Sequence, residues 1–172
     1  MAETAPERSS PSSGPSGRRV LVIGLGNRLR RDDAAGLELA RALRDRAGEA
    51  GIVVREHEGE TLGLLEEWEG VEAVVLVDAV SSGVAPGTLR RMDGSVDPIP
   101  THFRSSSSTH AVGLSDAIEL ARALGRLPAR VVVFGIEGRC FDAGCGLSED
   151  VRAAIAPLAE RVLGEAHELI SR

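Results

Sequence analysis

The sequence predicts an α/β fold, a single three-layer α/β/α domain with a mainly parallel sheet of about five strands and helices on both faces. Runs of β-branched and aliphatic residues alternate with segments of helical period along the chain. Those runs are apolar throughout, as strands covered on both faces are. The chain has 172 residues and 42% hydrophobic content, yet its only aromatics are Trp68, Phe103, Phe134 and Phe141, so Leu, Val, Ile and Ala must build the core. A chain of this length buries roughly two thirds of the surface it exposes unfolded, enough to fold without a metal or disulfide staple.

The elements follow in order. Residues 1–18, "MAETAPERSSPSSGPSGR", are rich in Ser, Pro and Gly without period and read as a disordered tail; the folded domain is expected over 19–172. "RVLVIGL" (19–25) has the pattern of a buried strand, and 33–50 is helical, with Leu37, Ala40, Leu43 and Ala47 at core spacing. "GIVVREHE" (51–58) reads as a second strand and "TLGLLEEWEG" (61–70) as a short helix. "EAVVLVDAV" (72–80) is the strongest strand, and "PGTLRRMD" (86–93), entered through Pro-Gly, reads as an edge strand. Residues 109–125 form an amphipathic helix with Leu114, Ile118, Ala121 and either Ala117 or Leu124 inward. "ARVVVFGIE" (129–137) is another buried strand, and 148–171 is a long helix in which Pro157 favours a bend.

The formal charge is -6, with 20 arginines and no lysine, which argues against a general nucleic-acid or anionic-membrane surface. Cys140 and Cys145 are too few for a disulfide framework, and "CFDAGC" fits no zinc-ribbon spacing, so both read as reduced loop thiols. No apolar run approaches the ~20 residues of a membrane span, and the first residues lack the apolar core of a signal peptide. A soluble, cytoplasmic, monomeric protein is expected.

In open parallel sheets, ligands bind beyond the carboxyl ends of the strands. The polar residues there are Asn27, Asp32 and Asp33 after the first strand, then Glu58, Glu60 and Thr61 after the second. Asp78 ends the third, Glu137 ends the last, and His110 opens the third main helix. Several carboxylates on one dry rim raise one another's pKa, a conflict that a cation resolves. Asp33, Asp78 and His110 form a mixed oxygen and nitrogen set suited to a borderline divalent metal such as Ni²⁺ or Zn²⁺.

Each residue also has an ordinary reading. Asp33 could cap the following helix, Glu137 could pair with Arg139, Glu58 and Glu60 could be solvated, and His110 could lie on the surface. The loop "GLGNRLRRDD" suggests a phosphate cradle, yet Leu29 stands where G-x-G-x-x-G needs its third glycine. No Gly-Lys-Ser/Thr follows either, and two aspartates would repel the anion. Its glycines then serve to let backbone pass close by.

In sequence order, these segments resemble the hydrogenase maturation proteases, over about residues 19–165. "VLVIGLGNRLRRDDAAG" is similar to that family's opening signature and "HEGETLGLLEEWEG" to its acidic Gly-x-Thr segment. "VVLVDAVSSGVAPGTL", "SSTHAVGLSDAIELA" and "VFGIEGRCFDAGCGLSEDV" match the segments that follow. The resemblance implies an endopeptidase that removes a C-terminal extension from the large-subunit precursor of an [NiFe] hydrogenase once nickel is inserted. It places the metal-contacting positions on Asp33, Asp78 and His110, and the acidic residue implicated in processing on Glu58, where Asp is usual. Ala34 stands where Gly often follows the acidic pair. The nickel is carried by the substrate, whose own cysteines would supply the thiolates, and a surrogate divalent metal can stand in its place. Peptide cleavage by a polarised carbonyl and by a carboxylate-activated water both remain open. Two other readings are a non-catalytic metal-sensing chaperone of the same fold and a small-molecule or nucleotide-binding module.

Overall fold

The computed structural model describes residues 19–47, 51–58, 61–100 and 113–172. Among these, five strands form one sheet: β1 (Val20–Leu25), β2 (Ile52–His57), β3 (Ala73–Val80), β4 (Leu89–Asp93) and β5 (Arg130–Glu137), in the order β2-β1-β3-β5-β4. The first three and β5 run parallel, while β4 pairs antiparallel with β5 at the sheet edge. The helices are α1 (Ala35–Ala47), α2 (Thr61–Glu67), α3 (Leu114–Ala123) and α4 (Glu149–Ser171), and a 3₁₀ turn, Arg31–Ala34, precedes α1. This is the α/β sandwich that the alternation of runs predicts. The expected tail and the first part of the third main helix, with His110, lie outside the described residues, as does Glu60.

Alternation along the central strands sends side chains to both faces and builds two cores. On one face Val20, Val22, Val75, Val77, Val132 and Phe134 meet Leu39 and Leu43 of α1 and Leu158, Val162 and Ala166 of α4. On the other, Leu21, Ile23, Val74, Leu76 and Val133 meet Leu64, Leu65 and Trp68 beside α2, with Leu114, Ala117 and Ile118 of α3. The open choice on α3 falls to Ala117, which is fully buried, while Leu124 is exposed. Helix α4 continues through Pro157. No helix among the described residues is long and apolar enough to cross a membrane.

The glycines in and just after β1 explain how α1 is seated. A Cβ on Gly24 would stand 2.0 Å from the Gly36 carbonyl oxygen, and one on Gly26 only 1.8 Å from that of Asp33. Gly26 also has φ +148, a backbone conformation that side chains disfavour. The Gly-x-Gly therefore admits the chain's own Asp33–Gly36 segment against β1. The space a phosphate would need is filled by protein, which removes the basis for a nucleotide cradle at this turn.

Candidate active site

The first loop is held by local chemistry. Asn27 Oδ1 accepts the Leu29 N–H at 2.9 Å, an Asx-type turn. The next residues are laced to the loop after β5: the Arg31 N–H donates to the Gly144 carbonyl at 3.0 Å, and the Gly144 N–H to that of Leu29 at 2.8 Å. The Asp32 N–H donates to the Cys140 carbonyl at 3.1 Å. Arg31 takes φ +46 to make this connection.

The two adjacent aspartates then diverge. Asp32 is fully buried, and its carboxylate accepts the N–H groups of Arg139 (2.8 Å), Cys140 (3.0 Å) and Ser148 (2.6 Å) and the Ser148 hydroxyl (2.9 Å). Burial pushes its pKa up, but these donors outweigh it and hold the carboxyl below its ordinary value. Ser148, the residue before α4, makes no side-chain cap to its own helix. Asp32 instead sits as the anion at that helix's N-terminus.

Asp33 is also fully buried and belongs to the 3₁₀ turn, whose N-cap is Arg30, so it is not the cap of that turn. The turn packs against β3, the strand that carries Asp78. Asp78 is buried near the end of that strand, and its Oδ1 accepts the Ala79 N–H at 2.8 Å.

Glu137 does not pair with Arg139. Its buried carboxylate accepts the N–H groups of Ser82 (2.7 Å) and Gly83 (2.8 Å) and the Ser82 hydroxyl (2.8 Å), while Arg139 pairs with Asp150. Asp32 and Glu137 thus spend their acceptors on loops. Glu58, by contrast, is exposed and bonded to Arg28, which also reaches Glu56 at 2.8 Å. Arg28 escaped the sequence reading, because nothing in a spacing of 30 residues marks the pair. A second such pairing joins His57 Nδ1 to Glu67 Oε1 at 2.6 Å, linking the end of β2 to α2.

The structure therefore brings the elements of Asp33 and Asp78 together, sets Glu58 at the neighbouring strand end, and leaves His110 outside the described residues. Among the described residues alone, no group of three His, Cys, Asp or Glu side chains is placed to hold a metal ion.

Comparison with known proteins supplies the identity. A family model described as hydrogenase maturation protease matches residues 58–165. Hydrogenase 2 maturation protease of Escherichia coli K12 is 30% identical over 157 residues, covering 87% of this chain and 92% of its own length. The solved structure of the hydrogenase maturating endopeptidase HybD from E. coli superposes with TM-score 0.73 at 27% identity, covering 87% of this chain and 93% of that one. The maturation protease HybD from Thermococcus kodakarensis gives TM-score 0.64 at 27% identity, over 86% and 99% of the two chains. A peptidase on an α/β sheet, with buried carboxylates at the carboxyl edge, is the class these observations define. Within that class, the chain belongs to the hydrogenase maturation protease family.

Proposed function

We propose that this endopeptidase removes the C-terminal extension of an [NiFe] hydrogenase large-subunit precursor after nickel insertion, and that it recognises the nickel carried by that substrate. The observation supporting this is the pair of buried carboxylates, Asp33 and Asp78, on a turn and a strand packed against each other at the carboxyl edge. Carboxylates withdrawn from water invite a cation. With His110 they make an oxygen and nitrogen set without thiolate, complementary to a metal whose cysteine ligands belong to the substrate. In this reading Glu58, at the neighbouring strand end, acts on the peptide rather than on the metal.

The test is processing of a nickel-loaded precursor, followed by mass spectrometry of the large subunit. Asp78→Asn and His110→Ala are each expected to slow cleavage roughly a hundredfold or more while thermal unfolding stays cooperative. Wild-type rates in both variants would overturn the reading. A nickel-loaded precursor that the wild-type protein binds but leaves at full length would favour the chaperone instead.

A further inference from the structure

A groove of about 920 Å³ lies between α1 and α4 on the face away from α2 and α3. It begins at the carboxylate rim, where Ala34, next to Asp33, and Arg28 of the same loop form part of its wall. Leu147 of the loop after β5 also lines it. It extends along α1 to Arg46. Arg46 lies twelve residue steps beyond Ala34, about 18 Å at the helical rise of ~1.5 Å per residue. That length accommodates about five residues of extended chain at ~3.3 Å each.

Between these charged residues the lining is apolar, with Ala42 on α1 and Ile155, Ala156 and Ala159 on α4. The lip carries arginines 28, 41, 46 and 152 beside Glu38 and Glu160. Three of those arginines are committed to carboxylates: Arg46 to Glu160, Arg41 to Glu38, and Arg28 to Glu56 and Glu58. Arg152 is different. Among the described residues its guanidinium donates to the Leu147 carbonyl at 3.1 Å and meets no carboxylate.

We propose that this groove binds an extended acidic segment of the protein substrate, with a side-chain carboxylate on Arg152 and small apolar side chains over Ala42 and Ala156. The inference rests on the maturation reading for the identity of the substrate. Its physical basis is the groove's length, its continuity with the rim and the cation at its mouth. A segment held there threads toward Asp33, so the groove contributes to substrate affinity rather than to bond cleavage.

A fluorescein-labelled decapeptide of alternating Glu, Ala and Leu, read by fluorescence anisotropy, tests the groove without requiring cleavage. The wild-type chain is expected to bind it and to ignore the same peptide with Lys for Glu. Arg152→Glu, and Ala156→Trp at an exposed helix position, should each weaken binding at least about tenfold. On the nickel-loaded precursor, Arg152→Glu should raise KM by a similar factor and leave kcat within about twofold. No binding by the wild type, equal binding of the Lys peptide, or unchanged affinity in both variants overturns the groove. Failure of the maturation reading shows itself separately, as a nickel-loaded precursor that the wild-type protein leaves at full length.

Discussion

On the β5 side of the sheet's carboxyl edge, carboxylates are buried and held by backbone: Asp32 by three N–H groups and a hydroxyl, Glu137 by two and a hydroxyl. On the β2 side they are held by guanidinium groups at the surface, with Glu58 on Arg28 and Glu56 shared among Arg28, Arg41 and Arg44. The difference lies in what can yield. A backbone donor cannot leave its acceptor unless the loop moves, and an unmet buried donor costs far more than the bond itself contributes. A long arginine at the surface re-solvates at little cost. One side of the rim is a frame and the other is adjustable. Asp33 and Asp78, buried on a turn and a strand packed together, share the burial of the frame.

The comparison breaks most easily at Asp32. Asp32→Ala strips the acceptor from all four donors and is expected to cost about 3–5 kcal/mol in chemical denaturation. A loss below ~1 kcal/mol would mean that the two loops are not held by this carboxylate. The effect also has a pH signature. The Asp32 carboxyl is lowered by folding, so the unfolded chain binds its proton more readily. Its contribution is therefore complete above the ordinary carboxylate pKa of ~3.9 and declines as pH falls through the lower folded value. The stability gap between wild type and Asp32→Ala should stay level from about pH 7 to 5 and close in stronger acid. A gap that widened on acidification would contradict the assignment.

Next in size is Glu137→Gln, which keeps one acceptor oxygen but turns an amide toward N–H donors. Calorimetry should show a loss of about 1–3 kcal/mol. The smallest effect belongs to the β2 side, where Arg28→Ala should change stability by less than ~1 kcal/mol, and by nothing measurable in 1 M salt. An Arg28 effect as large as that of Asp32 would erase the distinction between frame and adjustable edge.

The fold was legible because its signals are local. The runs at 19–25, 72–80 and 129–137 are apolar throughout, and each lies within one residue of the observed start. The edge strand over 86–93 was also readable, although pairing begins only at Leu89. Of the rim, the sequence marks the buried carboxylates Asp32, Asp33, Asp78 and Glu137, but not their partners. Asp32 and Asp33 are neighbours of the same chemistry, and what separates them is a set of donors 107 to 116 residues further on. For Glu137 the sequence offers nearby Arg139 as one possible partner, whereas its actual partners lie about 55 residues earlier, in a turn without any charge to advertise the contact. The glycines suggested close approach correctly, but only the packing shows that the approaching group is the carbonyl of Asp33 itself.

The bond between Asp32 and Ser148 also orders events in time. Its partners stand 116 residues apart, so the first loop is synthesised long before the group that completes it exists. While β1 and α1 are emerging from a ribosome, Asp32 can only be solvated, and the 3₁₀ turn carrying Asp33 lacks its brace from the loop after β5. Long-range closure of this kind is slow relative to local helix formation. The turn that carries Asp33 is thus fully braced only after the start of α4 has been made. A chain cut short before Ser148 would keep the N–H donors of Arg139 and Cys140 but lose the two that Ser148 gives Asp32.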